Sequence, residues 1–570
     1  MSSHLLRMVS RPAVLKKLAV VDGGTTGARL TYEQIVLDSL KLARVLRLQN
    51  IQEPTIAAFQ KGSSAYVSTM LATWMVGKRF LPLCTTHPEA ELLYFVQDSR
   101  AGCIVYTSAD TCDKHSYPAL PKLGVPLLDC STLVLSDGGA AGEAVEAAST
   151  FPVPEMASDA LILYTSGTTG RPKGVVHSHL GVTRMMQGLV EFWQYAPQDH
   201  ILHFLPLHHL HGVLNKLLCV LYAGGSLEFL PSATAEALWR RLAADVNGQQ
   251  DPVTLFMAVP TVYARMIEFA HEAGKKNADG GDGGGSPDKH HEMVQRAVAC
   301  IRRDMRLMAC GSAALPDNVM STWQRLTGQV LLERYGMTEI GMGLSNDYEP
   351  VVSRTPGHVG RPLPYVEVRI VDDQEREVPG SNSAISFAVA VEDNAAAAVE
   401  DGVTPGELRV RGPTVFREYL NKPEAFLDSF DAQGWFKTGD VAVRRRNGMY
   451  AILGRNSTDI IKARGYKLSA LEIERELLAC EDVVREVAVL GCPHLTDGEM
   501  VVAIVVLQEG SSPSGHDACT LRIKTFLRDR LAQYKCPAMY RYVSQLPRNA
   551  LGKVNKKSLL KDLNISVDAL

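Results

Sequence analysis

Residues 164–174 read Tyr-Thr-Ser-Gly-Thr-Thr-Gly-Arg-Pro-Lys-Gly, a run of hydroxyls, glycines and cations. Glycines let backbone N–H groups approach an anion closely, and N–H groups strung along such a loop form an anion-binding nest. Thr165, Ser166, Thr168 and Thr169 add hydroxyl donors around Gly167 and Gly170, and Arg171 and Lys173 add positive charge. A nucleoside triphosphate suits this chemistry best. The run is not a Walker A loop, because Gly174 follows Lys173 where Ser or Thr is required and the glycine spacing differs. A flexible surface loop is the bland alternative. It has no need of the apolar Ala160-Leu161-Ile162-Leu163 in front or the strand-like Gly174-Val175-Val176 behind.

Four further stretches carry chemistry. Leu205 to Gly212 holds His208, His209 and His211, but no Cys or carboxylate lies nearby in sequence. A metal is therefore not expected there. Arg306 to Cys310 is strand-like and runs into Gly311-Ser312, after which comes Glu333-Arg334-Tyr335-Gly336-Met337-Thr338-Glu339. Gly434 to Asp440 puts a carboxylate in a turn, with Gly454-Arg455 downstream. Leu546 to Lys553 ends in Leu-Gly-Lys.

In content and order these motifs closely resemble the signatures of the adenylate-forming superfamily: acyl-CoA synthetases, firefly luciferase and the adenylation domains of peptide synthetases. The resemblance runs from residue 82 to residue 553. It implies nucleotide contacts from Thr165 to Gly170, Lys173, Gly311, Glu333, Tyr335 (stacked on adenine), Gly336, Met337, Thr338 (on phosphate), Asp440 (on the ribose hydroxyls) and Arg455. Glu339 would hold Mg²⁺, which needs hard oxygen ligands beside the phosphates. Lys553, with Thr338 and Glu339, would act on the charge that builds during adenylation. The segment with Lys462, Gly465 and Tyr466 would help form the passage for coenzyme A. ATP, Mg²⁺ and CoA are the implied cofactors and co-substrates. The usual acid of the hinge motif is Thr458 here, with Asp459 one place later.

Arg334 departs from the pattern, since members that take apolar acids commonly carry a small residue before this Tyr. A guanidinium in an acyl pocket is costly unless an anion pairs with it, and Arg suits a carboxylate through bidentate hydrogen bonds. With Ser312, His209 or His211, and Arg265, it makes a polar, cationic pocket. Arg334 could instead turn away and pair with Glu333, and Arg265 could be a solvated helix residue. The pocket reading points to a short dicarboxylic acid, and the whole Leu331–Met342 string looks like the malonyl-CoA synthetase branch. The expected reaction is ATP-dependent ligation of malonate to CoA through an acyl-adenylate. Methylmalonate, another short acid, or a non-catalytic adenylate-binding protein stand as alternatives.

The chain that must position these groups has 570 residues, too many for one core. The expected fold is α/β: a large, multi-subdomain adenylation region over residues 19–454, a hinge at 455–459, and a small mobile α+β domain over 460–570. Gly/Asp/Lys-rich residues 274–289 and Ala-rich residues 381–405 read as disordered insertions. A net charge of −3 with 46% hydrophobic and 21% charged residues gives no pull toward nucleic acid. No apolar run is long enough to span a bilayer. Eleven cysteines without a CxxC pair point to a reducing compartment. Residues 1–18 carry cations without acids, as a mitochondrial presequence or a solvated first helix would, so matrix and cytoplasm both stand. The assembly expected is a monomer or weak homodimer, with small molecules as partners.

Overall fold

The computed structural model describes residues 11–23, 27–108, 117–131, 154–165, 171–244, 251–279, 289–381, 404–463, 466–494, 498–508 and 515–548, together with 554, 556 and 559. Two large sheets form the N-terminal region. One runs, in spatial order, Arg361–Pro362, Gly341–Ser345, Leu332–Met337, Leu307–Cys310, Leu255–Ala258, His200–His203, Ser226–Phe229, Leu18–Asp22, Arg29–Thr31. The other runs Glu418–Tyr419, Lys173–Ser178, Asp159–Thr165, Arg79–Pro82, Thr55–Phe59, Ala101–Tyr106, Leu127–Asp129. The inner strands of both pair in parallel. They read as continuous apolar runs because helices cover both faces.

The helix Ser64–Met75 is buried along its whole length, as expected of a helix apolar on every side. Helix starts are written in the sequence. Ser178 caps the helix His179–Phe192 by accepting from the Gly181 N–H, and Thr31 forms a reciprocal capping box with Gln34 at the start of Tyr32–Leu48. The chain is already packed before the sheet begins, since Pro12–Leu15 is helical and Leu15 is buried.

A third sheet, of Glu367–Val371, Gly406–Arg411, Phe436–Arg444 and Tyr450–Arg455, leads into the C-terminal part. There Tyr466–Ser469, Ile460–Ala463, Gly498–Leu507, Val484–His494 and Met539–Tyr542 pair in one sheet, packed by the helices Ala470–Leu478 and Gly515–Leu527. The α/β N-terminal region and smaller α+β C-terminal unit agree with the expected class. One expectation changes: the helix that starts at Pro260 continues through Asp279, so residues 274–279 are ordered helix rather than insertion. Its repeating apolar positions, with Ala270 and Ala273 buried, carry it past Gly274. Residues 280–288 and 382–403 lie outside the described residues.

Candidate active site

In open parallel sheets, ligands bind beyond the carboxyl ends of the strands. Several of the residues singled out in the sequence lie there. Thr165 ends the strand Asp159–Thr165 and stands opposite Lys173 in an antiparallel pair. Ser166, Gly167, Thr168, Thr169 and Gly170 themselves lie outside the described residues. Gly311 and Ser312 follow the strand Leu307–Cys310, and the histidine run follows His200–His203.

Alternation along the strand Leu332–Met337 sends Glu333 and Arg334 to opposite faces. The Glu333 carboxylate accepts from the Gly357 N–H at 3.0 Å, and burial pushes its pKa up to about 8. Glu333 therefore does not neutralise Arg334. The Arg334 guanidinium is 3% exposed and has no carboxylate partner among the described residues. It donates through Nη2 to Ser312 Oγ at 3.3 Å, while its Nε is buried without a hydrogen bond among those residues. Burial lowers its pKa to about 10, which leaves it charged at neutral pH.

Ser312 Oγ also lies 3.3 Å from His211 Nδ1, and Ser312 holds a left-handed backbone with φ of 71°. Non-glycine residues take that conformation at a cost, a feature concentrated at functional sites. His211 opens a π-helical stretch, His211–Leu218, rather than lying on an extended segment. His211 is kept neutral by burial, then by the neighbouring charges of Arg334 and Lys216, and its Nε2 is buried without a hydrogen bond among the described residues. His209 is half-buried with its ring 4.1 Å from that of His208. Arg265 stays on the exposed side of the helix Pro260–Asp279, and no hydrogen bond or ion pair joins it to this cluster.

Lys216 escaped the sequence reading. It is fully buried, donates to the Met257 carbonyl at 2.9 Å and sits 3.7 Å from the centre of the Phe204 ring. Burial holds its pKa well below the usual lysine value. A lysine inside the apolar run Leu214-Asn215-Lys216-Leu217 was the available signal.

The nucleotide-type residues assemble on the neighbouring elements. Tyr335 donates to Asp440 Oδ2 at 2.5 Å, and Arg455 Nε donates to Asp440 Oδ1 at 3.0 Å across the register pair Asp440–Arg455. Burial first, and then Asp440, keep the Tyr335 hydroxyl protonated. His177, held neutral by burial with a pKa of about 4, donates through Nε2 to the Thr338 carbonyl at 2.7 Å. Gly336 passes so close to its partner strand that a Cβ there would stand 2.3 Å from the Gly341 carbonyl oxygen. Met337 is half-buried beside it.

Glu339 is 8% exposed, and its Oε1 accepts from the Tyr419 hydroxyl at 2.8 Å, while Lys173 Nζ lies over the Tyr419 ring at 4.6 Å. Burial raises the carboxyl pKa. A buried carboxylate held in place by a phenol is a hard oxygen donor that fits Mg²⁺ beside phosphate.

Within residues 455–459, Asp459 rather than Thr458 carries the structural carboxylate. Its Oδ2 accepts from the Arg455 N–H at 3.1 Å, and its Oδ1 pairs with Lys556 Nζ at 2.6 Å. Lys462 is exposed on the strand Ile460–Ala463, with its N–H donating to Glu499. Tyr466 begins the next strand. Gly465 and Lys553 lie outside the described residues.

Comparison with known proteins identifies the family. The family model for AMP-binding enzymes matches residues 11–420, and the model for the AMP-binding enzyme C-terminal domain matches residues 472–553. The chain is 42% identical to the mitochondrial malonate–CoA ligase of Mus musculus over 94% of its own length and 87% of the relative's. It is 37% identical to the malonate–CoA ligase of Arabidopsis thaliana over 98% of its length and 84% of that relative's. Among solved structures it resembles ATP-bound MatB from Rhodopseudomonas palustris, with a TM-score of 0.77 at 30% identity, covering 100% of this chain and 99% of that one. No helix among the described residues is long and apolar enough to cross a membrane. The chain belongs to the AMP-binding enzyme family.

Proposed function

We propose that the chain is an AMP-forming acid–CoA ligase that converts malonate, ATP and CoA to malonyl-CoA, AMP and pyrophosphate. The observation that carries the choice of acid is Arg334, a buried cation with no carboxylate partner among the described residues. An unpaired buried charge is expensive, and a dicarboxylic acid offers its second carboxylate in return. Two relatives named malonate–CoA ligases support the reading.

In the proposed reaction Arg334, Ser312 and neutral His211 hold the distal carboxylate of malonate. The other carboxylate attacks the α-phosphate of ATP, and pyrophosphate leaves. Glu339 holds Mg²⁺, which neutralises phosphate charge when it is bound. Asp440 and Arg455 hold the ribose, and the Tyr335 ring supports adenine. Lys173 and the hydroxyls of residues 165–169 steady the phosphates, and Lys553 meets the charge on the reacting carboxylate. The CoA thiol then attacks the acyl-adenylate carbonyl, loses its proton to solvent and expels AMP, by way of the segment bearing Lys462, Gly465 and Tyr466. Positioning and charge stabilisation account for the catalysis, since no covalent protein intermediate is needed. A mitochondrial location belongs to the same proposal, because relatives from Mus musculus, Bos taurus and Homo sapiens are named as mitochondrial.

The test is AMP release with Mg-ATP and CoA across acetate, butyrate, malonate, methylmalonate and succinate. Malonate is expected to exceed butyrate in kcat/KM by about a hundredfold or more, because a site built for a polar group rejects an analogue that lacks it. Equal values for the two would contradict the diacid pocket, and no AMP from any acid would contradict the ligase.

A further inference from the structure

Cys84 and His87 sit on the loop that follows the strand Arg79–Pro82 of one large sheet, and His208 on the loop that follows His200–His203 of the other. The fold closes a sequence gap of more than a hundred residues and brings the three ligand atoms within 4.8 Å of one another. The rings of His87 and His208 meet edge to face, 5.1 Å between centres. His87 Nδ1 is buried without a hydrogen bond among the described residues, and a Glu91 carboxylate oxygen lies 3.6 Å from it.

We infer that Cys84, His87 and His208 form a binding site for a borderline-soft divalent cation, with Zn²⁺ as the ion of choice, joining loops of the two large sheets. This reverses the expectation from sequence, where no cysteine lay near the histidine run. One thiolate and two imidazoles suit Zn²⁺ and its neighbours in softness, and are poor ligands for Mg²⁺ or Ca²⁺. Ligand atoms on a tetrahedral Zn²⁺ stand about 3.3–3.7 Å apart, given bonds of about 2.0–2.3 Å. All three side chains are only half-buried, so small rotations close the remaining distance.

Cys84 Sγ also lies 3.2 Å from the Thr86 hydroxyl oxygen, which helps to orient the sulfur. Coordination needs the thiolate, and any remaining thiol proton goes to solvent without redox change. The fourth position is left to water or to Glu91.

The site also has a route to the nucleotide loop. His87 packs on Phe95 at 5.7 Å, and Phe95 stacks at 4.2 Å on Tyr164, which leads directly into Thr165. On the other side His208 touches His209. An ion here ties the base of the phosphate loop to the histidine run.

The experiment uses full-length protein stripped with a chelator and titrated with Co²⁺, then with Zn²⁺ against a chromophoric chelator. One equivalent is expected, with the sulfur-to-cobalt charge-transfer band and intense visible bands of a tetrahedral thiolate site. Cys84→Ser should abolish the charge-transfer band and weaken Zn²⁺ binding by roughly a hundredfold. His87→Gln should weaken binding while keeping the band. Cys536→Ser, at the other half-buried thiol among the described residues, should alter neither. Protection from thermal unfolding by ATP confirms that each variant is folded. A band that survives Cys84→Ser, or Zn²⁺ affinity unchanged in both site variants, would overturn the inference.

Discussion

The Arg334 guanidinium lies flat against Gly311: a Cβ at residue 311 would stand 2.7 Å from Arg334 Cζ and 2.8 Å from Nε. Glycine is therefore required for the close approach that keeps the cation beside Ser312, and not for an unusual backbone angle. Gly311→Ala should displace the guanidinium and cut kcat/KM for malonate by roughly 10- to 100-fold, through loss of one charge-assisted hydrogen bond and misplacement of the acid. Steady-state kinetics check it. The KM for ATP should move much less, which separates acid recognition from general damage.

Glu339 tests the nucleotide side of the site. Glu339→Gln keeps an oxygen to accept the Tyr419 hydrogen bond but removes the charge offered to the metal. Adenylation should fall by about 10²-fold, and the Mg²⁺ concentration needed for half-maximal rate should rise. ATP–pyrophosphate exchange measured over a range of Mg²⁺ checks both. An unchanged Mg²⁺ dependence would remove Glu339 from that role.

Glu333 gives a pH signature. Burial raises its carboxyl from the ordinary glutamate range to about 8, so the folded protein keeps a proton that the unfolded chain has lost. Between these limits the native state binds more protons than the unfolded state, and stability falls as pH rises. The contribution is at most on the order of 5 kcal/mol over that window. Glu333→Gln retains the acceptor for the Gly357 N–H and should flatten the dependence. Melting temperatures at pH 5 and pH 8 check it: the variant should lose less stability between them than the wild type does.

The layout of the two parts was legible before the fold was seen, because apolar runs bounded by Gly, Pro and capping Ser mark strands and helices directly. Arg334 was legible for a different reason: a charged residue stood where the neighbouring motif leads to a small one. Lys216 was missed because a lysine amid leucines reads as a solvated interruption, and the π-helical turn that buries it has no pattern of its own. His211 was noticed but placed on an extended segment, since its helix begins only at that residue. The Cys84–His87–His208 group was out of reach in principle, because its members meet only when two sheets dock. Gly274 is a plausible helix end, yet the buried alanines beside it carry the helix onward.

The central claim is that Arg334 selects the acid. The most direct measurement is kcat/KM for malonate and for butyrate in the wild type and in Arg334→Met, which replaces the cation with an apolar side chain of comparable length. Losing one partner of a buried charge pair costs about 2–5 kcal/mol, so malonate should fall by roughly 10² or more while butyrate holds or rises. The KM for ATP should stay within about threefold. If malonate and butyrate instead fall by the same factor, Arg334 supports the fold rather than the second carboxylate, and the diacid pocket is wrong.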